Sequence, residues 1–493
     1  MYCLLRHLNN INTKSKFKIL NYSSNSNSFT SIFLSYLSFT PTTDQSQLIA
    51  MLSEFIAGNK EREIMVIKGY AGTGKTNMVA ALSKTLPSFK WRSVLLAPTG
   101  RAAKVLSGYS EKPAQTIHKK IFRKLPTHDG GVTFTLGENL HRNTIFIVDE
   151  ASMIGLDNPN SESVYASLLE SLFEYVFSGD NCKLILVGDT AQLPPVGSND
   201  SPALNIDYLK AAYHLNIKHI ELKQVARQQD ASGILKNATH LRDCIASESD
   251  EFPKLQPFPD VVRLSGDELE DALNNAYSKY GFNDVLIVTR SNKRANLFNQ
   301  AVRGRVRYMD DDLCGGDLMM VVKNNYFWLD EKTDAGFIAN GDSLQIKKIT
   351  RRKEIYGFNF AECVVQLCDY PNAPEITLNL LLDSINTDSS SLTKEQQQFL
   401  FEAVMEDVAD QPLKGLRMAY LKKNPYFNAL QVKFSYAVTC HKAQGGQWPC
   451  VFIDQGYLTK EMLNVEFIRW LYTAFTRATE KIYLMNFSDD FFE

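Results

Sequence analysis

The octapeptide Gly69-Tyr-Ala-Gly-Thr-Gly-Lys-Thr76 constrains the fold more than any other stretch of the chain, because of what flanks it. Before it, Glu63-Ile-Met-Val-Ile-Lys68 is a short apolar run of strand character; after it, Met78, Val79, Leu82 and Leu86 recur at helical spacing. Strand, glycine turn and helix in that order are the context a P-loop requires. The glycines let backbone N–H groups converge on phosphates at a helix N-terminus, Lys75 adds a point charge, and the Thr76 hydroxyl can ligate Mg²⁺. Nucleotide contact is therefore expected along Gly69, Ala71, Gly72, Thr73, Gly74, Lys75 and Thr76.

Two more apolar runs read as buried strands of a parallel sheet, whose ligands bind at the carboxyl ends of the strands. Asn143-Thr-Ile-Phe-Ile-Val148 ends in Asp149-Glu150, and Lys183-Leu-Ile-Leu-Val187 runs into Gly188-Asp-Thr-Ala-Gln-Leu-Pro-Pro-Val-Gly197. Beside a P-loop the adjacent carboxylates divide the labour: Asp149 holds Mg²⁺ through water, and Glu150 orients and deprotonates the water that attacks a γ-phosphate. Gln192 supplies a neutral amide able to sense that phosphate, on a loop stiffened by the Pro-Pro pair.

A chain of 493 residues exceeds what one hydrophobic core usually organises, so several domains are expected. No apolar run approaches the roughly 20 residues of a membrane-spanning helix. The net charge of −2 offers phosphates no bulk attraction, so any nucleic-acid site must be a local basic groove. The eight cysteines are scattered without CxxC spacing, and the eight histidines form no HExxH pattern, which argues against structural zinc or an iron–sulfur cluster. Free thiols suit a reducing compartment, and a cytoplasmic, bacterial or phage-like setting is expected. The first 43 residues carry Arg6, Lys14, Lys16 and Lys18 but no acid before Asp44, with many Ser and Asn. Such composition reads as a disordered extension over 1–41, with an organellar targeting segment as the alternative.

The segments GYAGTGKT, LLAPTGRAAKVLS, TIH, IVDEASM, LVGDTAQLPPVG, VARQ, TCHKAQGGQW and LYTAFTRA follow one another from Thr42 to Phe487. In this order they resemble the motifs of superfamily 1 DNA helicases, and the DEAS, TIH and GDxxQLPPV variants are similar to the RecD/Dda branch, which translocates 5′→3′ on single-stranded DNA. The resemblance implies ATP and Mg²⁺ as cofactors, and single-stranded DNA and duplex junctions as partners. It places Gln45 at the adenine and Gln447 also at the nucleotide. Arg227 and Arg477 would reach the γ-phosphate from a second motor domain, where a planar, permanently charged guanidinium can stabilise charge spread over phosphoryl oxygens. A track that grips every sequence equally combines phosphate contacts with stacking; its candidates are Thr99, Arg101, Lys104, His118, Thr439, His441 and Lys442.

The fold class expected is α/β: two RecA-like P-loop motor domains with parallel sheets, plus a small β-rich SH3-like insertion in the second. The first motor domain spans 42–207 with a small insertion at about 108–142, in which Asp129 to Leu136 reads as turn plus strand. The second comprises 208–315 and 411–493, interrupted by the β-rich insertion 316–410. Within 392–410, Leu400, Val404 and Val408 recur at helical spacing. Two other functions stay open at this stage: a P-loop ATPase switch or loader that does not unwind, and a nucleic-acid tether that has lost its motor. The set Lys75, Asp149, Glu150 and Arg477 argues against the second.

Overall fold

The computed structural model describes residues 28–58, 60–126, 132–156, 167–225, 232–248, 251–329, 337–368, 370, 373–389 and 391–492. The apolar runs form a six-stranded parallel sheet from β1 (Glu63–Gly69), β2 (Arg92–Ala97), β3 (Ala114–Thr116), β6 (Arg142–Val148), β7 (Asp180–Gly188) and β8 (Asn216–Leu222), in the order β3-β2-β6-β7-β1-β8. Alternate residues feed two cores. Met65, Ile67, Ile145, Ile147, Ile185 and Val187 pack on one side, and Ile64, Val66, Phe146, Val148, Leu184 and Leu186 on the other. A strand covered on both faces must be apolar throughout, which is why these runs do not alternate with polar residues. Lys183 is the exception: its Nζ pairs with Glu63 Oε2 at 2.8 Å, both side chains being 2% exposed.

Between β3 and β6, a hairpin joins β4 (Phe122–Pro126) to β5 (Val132–Leu136), with Phe122 opposite Leu136. The expected turn at Asp129 falls in 127–131, outside the described residues. A second parallel sheet is built from β9 (Val261–Leu264), β10 (Val285–Thr289), β16 (Ala437–Thr439), β17 (Trp448–Asp454) and β18 (Ala478–Met485), in the order β16-β10-β17-β18-β9. Between β10 and β16 the chain forms a closed barrel of β11 (Leu318–Val321), β12 (Ser343–Ile355), β13 (Phe358–Leu367), β14 (Ile376–Leu381) and β15 (Leu430–Phe434). The helix Lys394–Glu406, opened by a Thr393/Gln396 capping box, lays Leu400 and Val404 against Phe358 and Phe360 of the barrel. Two parallel α/β sheets and a small β-barrel are the fold class expected from sequence. No helix among the described residues is long and apolar enough to cross a membrane.

Three edges differ from expectation. β8 pairs with β1 over Glu63–Gly69, so the first sheet runs beyond 207. Its sequence, Asn216-Ile-Lys-His-Ile-Glu-Leu222, alternates because it lies at the sheet's edge, and it does not read as a buried strand. The barrel closes only with β15, past the expected limit at 410, since Leu430-Gln-Val-Lys-Phe434 pairs with β11 before the chain returns to the second sheet. Third, residues 28–41 are not a disordered extension. Positions 28–35 are helical, and Phe29 and Phe33, one turn apart, are 1% and 0% exposed in the core beside Leu48, Leu52 and Phe55. Composition averaged over 43 residues hid a two-residue apolar stripe. Truncating a fully buried Phe costs about 3–5 kcal/mol. Phe33→Ala is accordingly expected to lower the melting temperature by several degrees in calorimetry, whereas an unchanged value would mean this helix does not pack on the motor.

Candidate nucleotide site and nucleic-acid track

The P-loop passes from β1 into the helix Lys75–Thr85 through Gly72 and Gly74, at φ 76° and 79°. Glycine adopts that left-handed geometry with little steric cost. A Cβ at Gly74 would also lie 2.8 Å from Gln45 Nε2. Gln45, expected at the adenine, is instead fully buried: its Oε1 accepts from Thr42 N at 3.0 Å and its Nε2 donates to Thr73 O at 2.9 Å. One end of the amide braces the P-loop and the other closes the capping box of Gln45's own helix. Lys75 Nζ donates to Gly69 O at 2.6 Å and Tyr70 O at 2.9 Å, carbonyls with which a phosphate must compete for the ammonium.

The order β6-β7-β1 brings the carboxylate pair and the loop after β7 to the same carboxyl edge as the P-loop. Asp149 is 9% exposed, and its Oδ1 accepts from Glu150 N at 2.9 Å. Its pKa is pushed up to about 7, first by burial and then by the neighbouring Glu150 charge, against the pull of the Glu150 N–H and of Lys75. Glu150 holds φ at 52°, an uncommon conformation for a residue with a side chain, and such local strain collects at sites of function. The Asp149 carboxylate just past the end of β6 and the Thr76 hydroxyl in the first turn of the P-loop helix are hard oxygen donors of the kind Mg²⁺ takes; Thr76 and Asp149 are the residues that would hold it. On the next loop Gln192 is 4% exposed, and its Oε1 has no hydrogen-bond partner. Leaving such an acceptor orphaned costs about 1–3 kcal/mol unless a ligand or water supplies the donor.

The opposite wall belongs to the second sheet. Arg477 follows the helix Val465–Phe475 and is 3% exposed. Its Nε donates to Thr473 O, Nη1 to Gly446 O and Nη2 to Thr476 Oγ1, each at 3.1 Å, all within the second domain. Arg227 falls in 226–231, outside the described residues. The groups that cross between the domains are ones sequence reasoning missed. Tyr472 Oη donates to Asp189 Oδ2 at 2.7 Å and accepts from Ala71 N at 2.8 Å. Thr473 Oγ1 accepts from Leu193 N at 2.8 Å, Gln444 Nε2 donates to Leu193 O at 2.7 Å, and Arg242 lies 4.8 Å over the Tyr70 ring. Tyr472, Thr473 and Gln444 all stand inside motif segments, but a Tyr or Gln in an apolar stretch shows its role only once its partner is placed. Gln447, expected at the nucleotide, is exposed and accepts from Tyr109 Oη at 3.3 Å; Gln444 is the glutamine of that segment that reaches the loop after β7.

The expected nucleic-acid residues gather at carboxyl edges of both sheets. Thr99 caps the helix Gly100–Ser110 after β2, accepting from Ala102 N at 3.2 Å, and this helix carries Arg101 and Lys104. His118 lies on the helix Ile117–Ile121 after β3. Thr439 ends β16, with His441 and Lys442 following. The two sets meet where Gly445 and Gly446 approach the first domain: a Cβ on Gly445 would lie 2.8 Å from Ala102 Cβ, and one on Gly446 would lie 2.9 Å from Arg101 Cδ. Arg101 stacks 4.0 Å over Trp448 and donates to Ser343 Oγ of the barrel at 3.4 Å; Lys104 Nζ donates to Cys368 O at 3.0 Å. Burial pushes His118 down to about 4 and lowers His441 and Lys442 from their ordinary values. His118 is therefore neutral at physiological pH, suited to hydrogen bonding or stacking rather than to pairing with a phosphate charge.

Comparison with known proteins places these features in context. Residues 43–250 match the model of an AAA domain, and residues 434–485 that of a UvrD-like helicase C-terminal domain. The chain is 27% identical over 271 residues to the ATP-dependent DNA helicase dda of Enterobacteria phage T4, covering 53% of this chain and 57% of the relative. It is 31% identical over 195 residues to the ATP-dependent RecD2 DNA helicase of Deinococcus radiodurans, covering 38% of this chain and 22% of the relative. The chain thus spans about half the length of the first and less of the second. Among solved structures, the Pif1 helicase from Bacteroides in complex with ADP-AlF3 and ssDNA aligns with a TM-score of 0.46 at 13% identity, over 92% of this chain and 95% of the other.

Proposed function

We propose that this chain, which is similar to the superfamily 1 helicases of the Dda/RecD-like branch, is an ATP hydrolase and a motor that moves 5′→3′ along single-stranded DNA and separates duplex at junctions. The observation that carries the proposal is the interdomain contact at the P-loop. The helix Val465–Phe475 of the second sheet bonds to Ala71 through Tyr472 and leads directly into Arg477. A nucleotide on the P-loop is then enclosed between two α/β domains, so hydrolysis can be coupled to their closing and opening. Dda and RecD2 act on DNA by name, and DNA as substrate is carried over from them.

In this reading Lys75 and the P-loop amides hold the β- and γ-phosphates, while Thr76 and Asp149 would hold Mg²⁺, which would supply charge neutralisation at the phosphates when bound. Glu150 takes the proton from the attacking water, and the unpartnered Oε1 of Gln192 accepts a hydrogen bond from that water. Arg477, and with it Arg227, stabilises the transferring phosphoryl group after turning from its own domain's carbonyls towards the nucleotide. Gln45 acts on the nucleotide through the loop it braces. Thr99, Arg101, Lys104, His118, Thr439, His441 and Lys442 form the DNA track across both domains. Its partners on this reading are single-stranded DNA and duplex junctions.

Steady-state turnover with and without single-stranded DNA tests the coupling. The motor predicts stimulation of at least about tenfold, because strand binding across both domains favours the closed site. Turnover indifferent to DNA would point to the switch or loader instead.

A further inference from the structure

The hydroxyl of Tyr472 is not needed to fill space. The ring sits in the second domain's core with Leu471, Ala474 and Phe475, 1% exposed, and a phenylalanine would pack there equally well. Yet the oxygen lies at the meeting point of three elements that act on the nucleotide. It accepts from the P-loop amide of Ala71, donates to the Asp189 carboxylate at the head of the loop that carries Gln192, and belongs to the helix that leads to Arg477. Asp189 is itself 0% exposed and fixed by Ala191 N, which donates to its Oδ1 at 2.9 Å, so the anchor is rigid. Burial first, and then the Asp189 charge, hold the hydroxyl well above its ordinary pKa, so it stays protonated and always has one hydrogen to give. Thr473, the next residue, holds Leu193 N at 2.8 Å on the same loop.

We propose that Tyr472 is a positioning residue for ATP hydrolysis, whose hydroxyl sets the distance between the P-loop, the Gln192 loop and Arg477 when the two domains close. The proposal rests on the ATP-site reading above and deepens it. The helix ends at Phe475, so Arg477 lies five residues beyond Tyr472 and two beyond the helix end, and a contact fixed at 472 limits where the guanidinium can arrive. Placement errors near 1 Å can cost about 10²-fold in rate while leaving ground-state binding almost intact.

The test is Tyr472→Phe, with Thr473→Val as a second, independent loosening of the same contact. Nucleotide KM and kcat are measured in the presence and absence of single-stranded DNA, together with the melting temperature. For Tyr472→Phe the expected result is a kcat lowered about 10- to 100-fold, a KM within about threefold of wild type and a melting temperature within about 3 °C; Thr473→Val should shift kcat in the same direction by less. An unchanged kcat in Tyr472→Phe overturns the proposal. So does a parallel loss of turnover and nucleotide affinity, or a large fall in melting temperature, since either marks the hydroxyl as packing support alone. The wild-type control keeps the two ideas apart: ATP turnover that ignores DNA would defeat the motor assignment, while the ratio of Tyr472→Phe to wild-type kcat still decides this one.

Discussion

Arg477→Ala is expected to bind ATP within a few-fold of wild type, to bind single-stranded DNA normally, and to lose DNA-stimulated turnover by about 10³-fold. An arginine entering the site to stabilise a transferring phosphoryl group contributes on the order of 10³–10⁵ in kcat and little in the ground state. The bonds of Arg477 give the reason to expect that binding is spared. Three nitrogens of Arg477 bond to Thr473, Gly446 and Thr476 of its own domain, so ground-state nucleotide affinity is expected to depend little on it. The same bonds predict a secondary effect, because Gly446 O loses a buried donor; a stability loss of about 1–3 kcal/mol should accompany the substitution. Near-normal DNA-stimulated turnover in this variant would remove Arg477 from the reaction and leave the second domain without its part in hydrolysis.

Lys75→Ala produces a different pattern, and the contrast between the two variants is more telling than either alone. On the proposed reading Lys75 meets phosphate in the ground state and in transfer, so its loss should weaken nucleotide binding and bring hydrolysis to background together. A charged hydrogen bond of about 1.5–3 kcal/mol corresponds to roughly 10- to 150-fold in affinity. Since Lys75 Nζ contacts only the loop carbonyls of Gly69 and Tyr70 among its described hydrogen bonds, folding should be little affected. Nucleotide titration and turnover on the purified variant check this. Full affinity with lost turnover would assign Lys75 the role here given to Arg477.

What the sequence made legible was everything local. The P-loop, the carboxylate pair and the Gln192 loop were each readable because a single run of residues carries strand, turn and chemistry together, and the buried parallel strands could be recognised from their uninterrupted apolar residues. The misses share one cause, namely partners remote in sequence. β8 declares its sheet only by pairing with β1, and β15 declares the barrel only by pairing with β11. Phe29 and Phe33 become core only when Leu52 and Phe55 arrive beneath them. Gln45 carries an adenine expectation only through its motif, and its bond to Thr73 of the P-loop becomes visible only in the fold. Tyr472 was in plain view within its segment, but its role depends on Ala71 and Asp189, some 401 and 283 residues away.

Coupling between that enclosed site and movement along a strand is the central claim, and strand separation reads it most directly. Two duplexes identical except for the polarity of one single-stranded tail are incubated with the protein and ATP, with Lys75→Ala as the control. The proposed motor opens the 5′-tailed duplex in an ATP-dependent way, opens the 3′-tailed one much more slowly, and is inert in the control. Preferential opening of the 3′-tailed duplex would contradict the direction of travel, and failure to open either, despite ATP turnover, would contradict the motor itself.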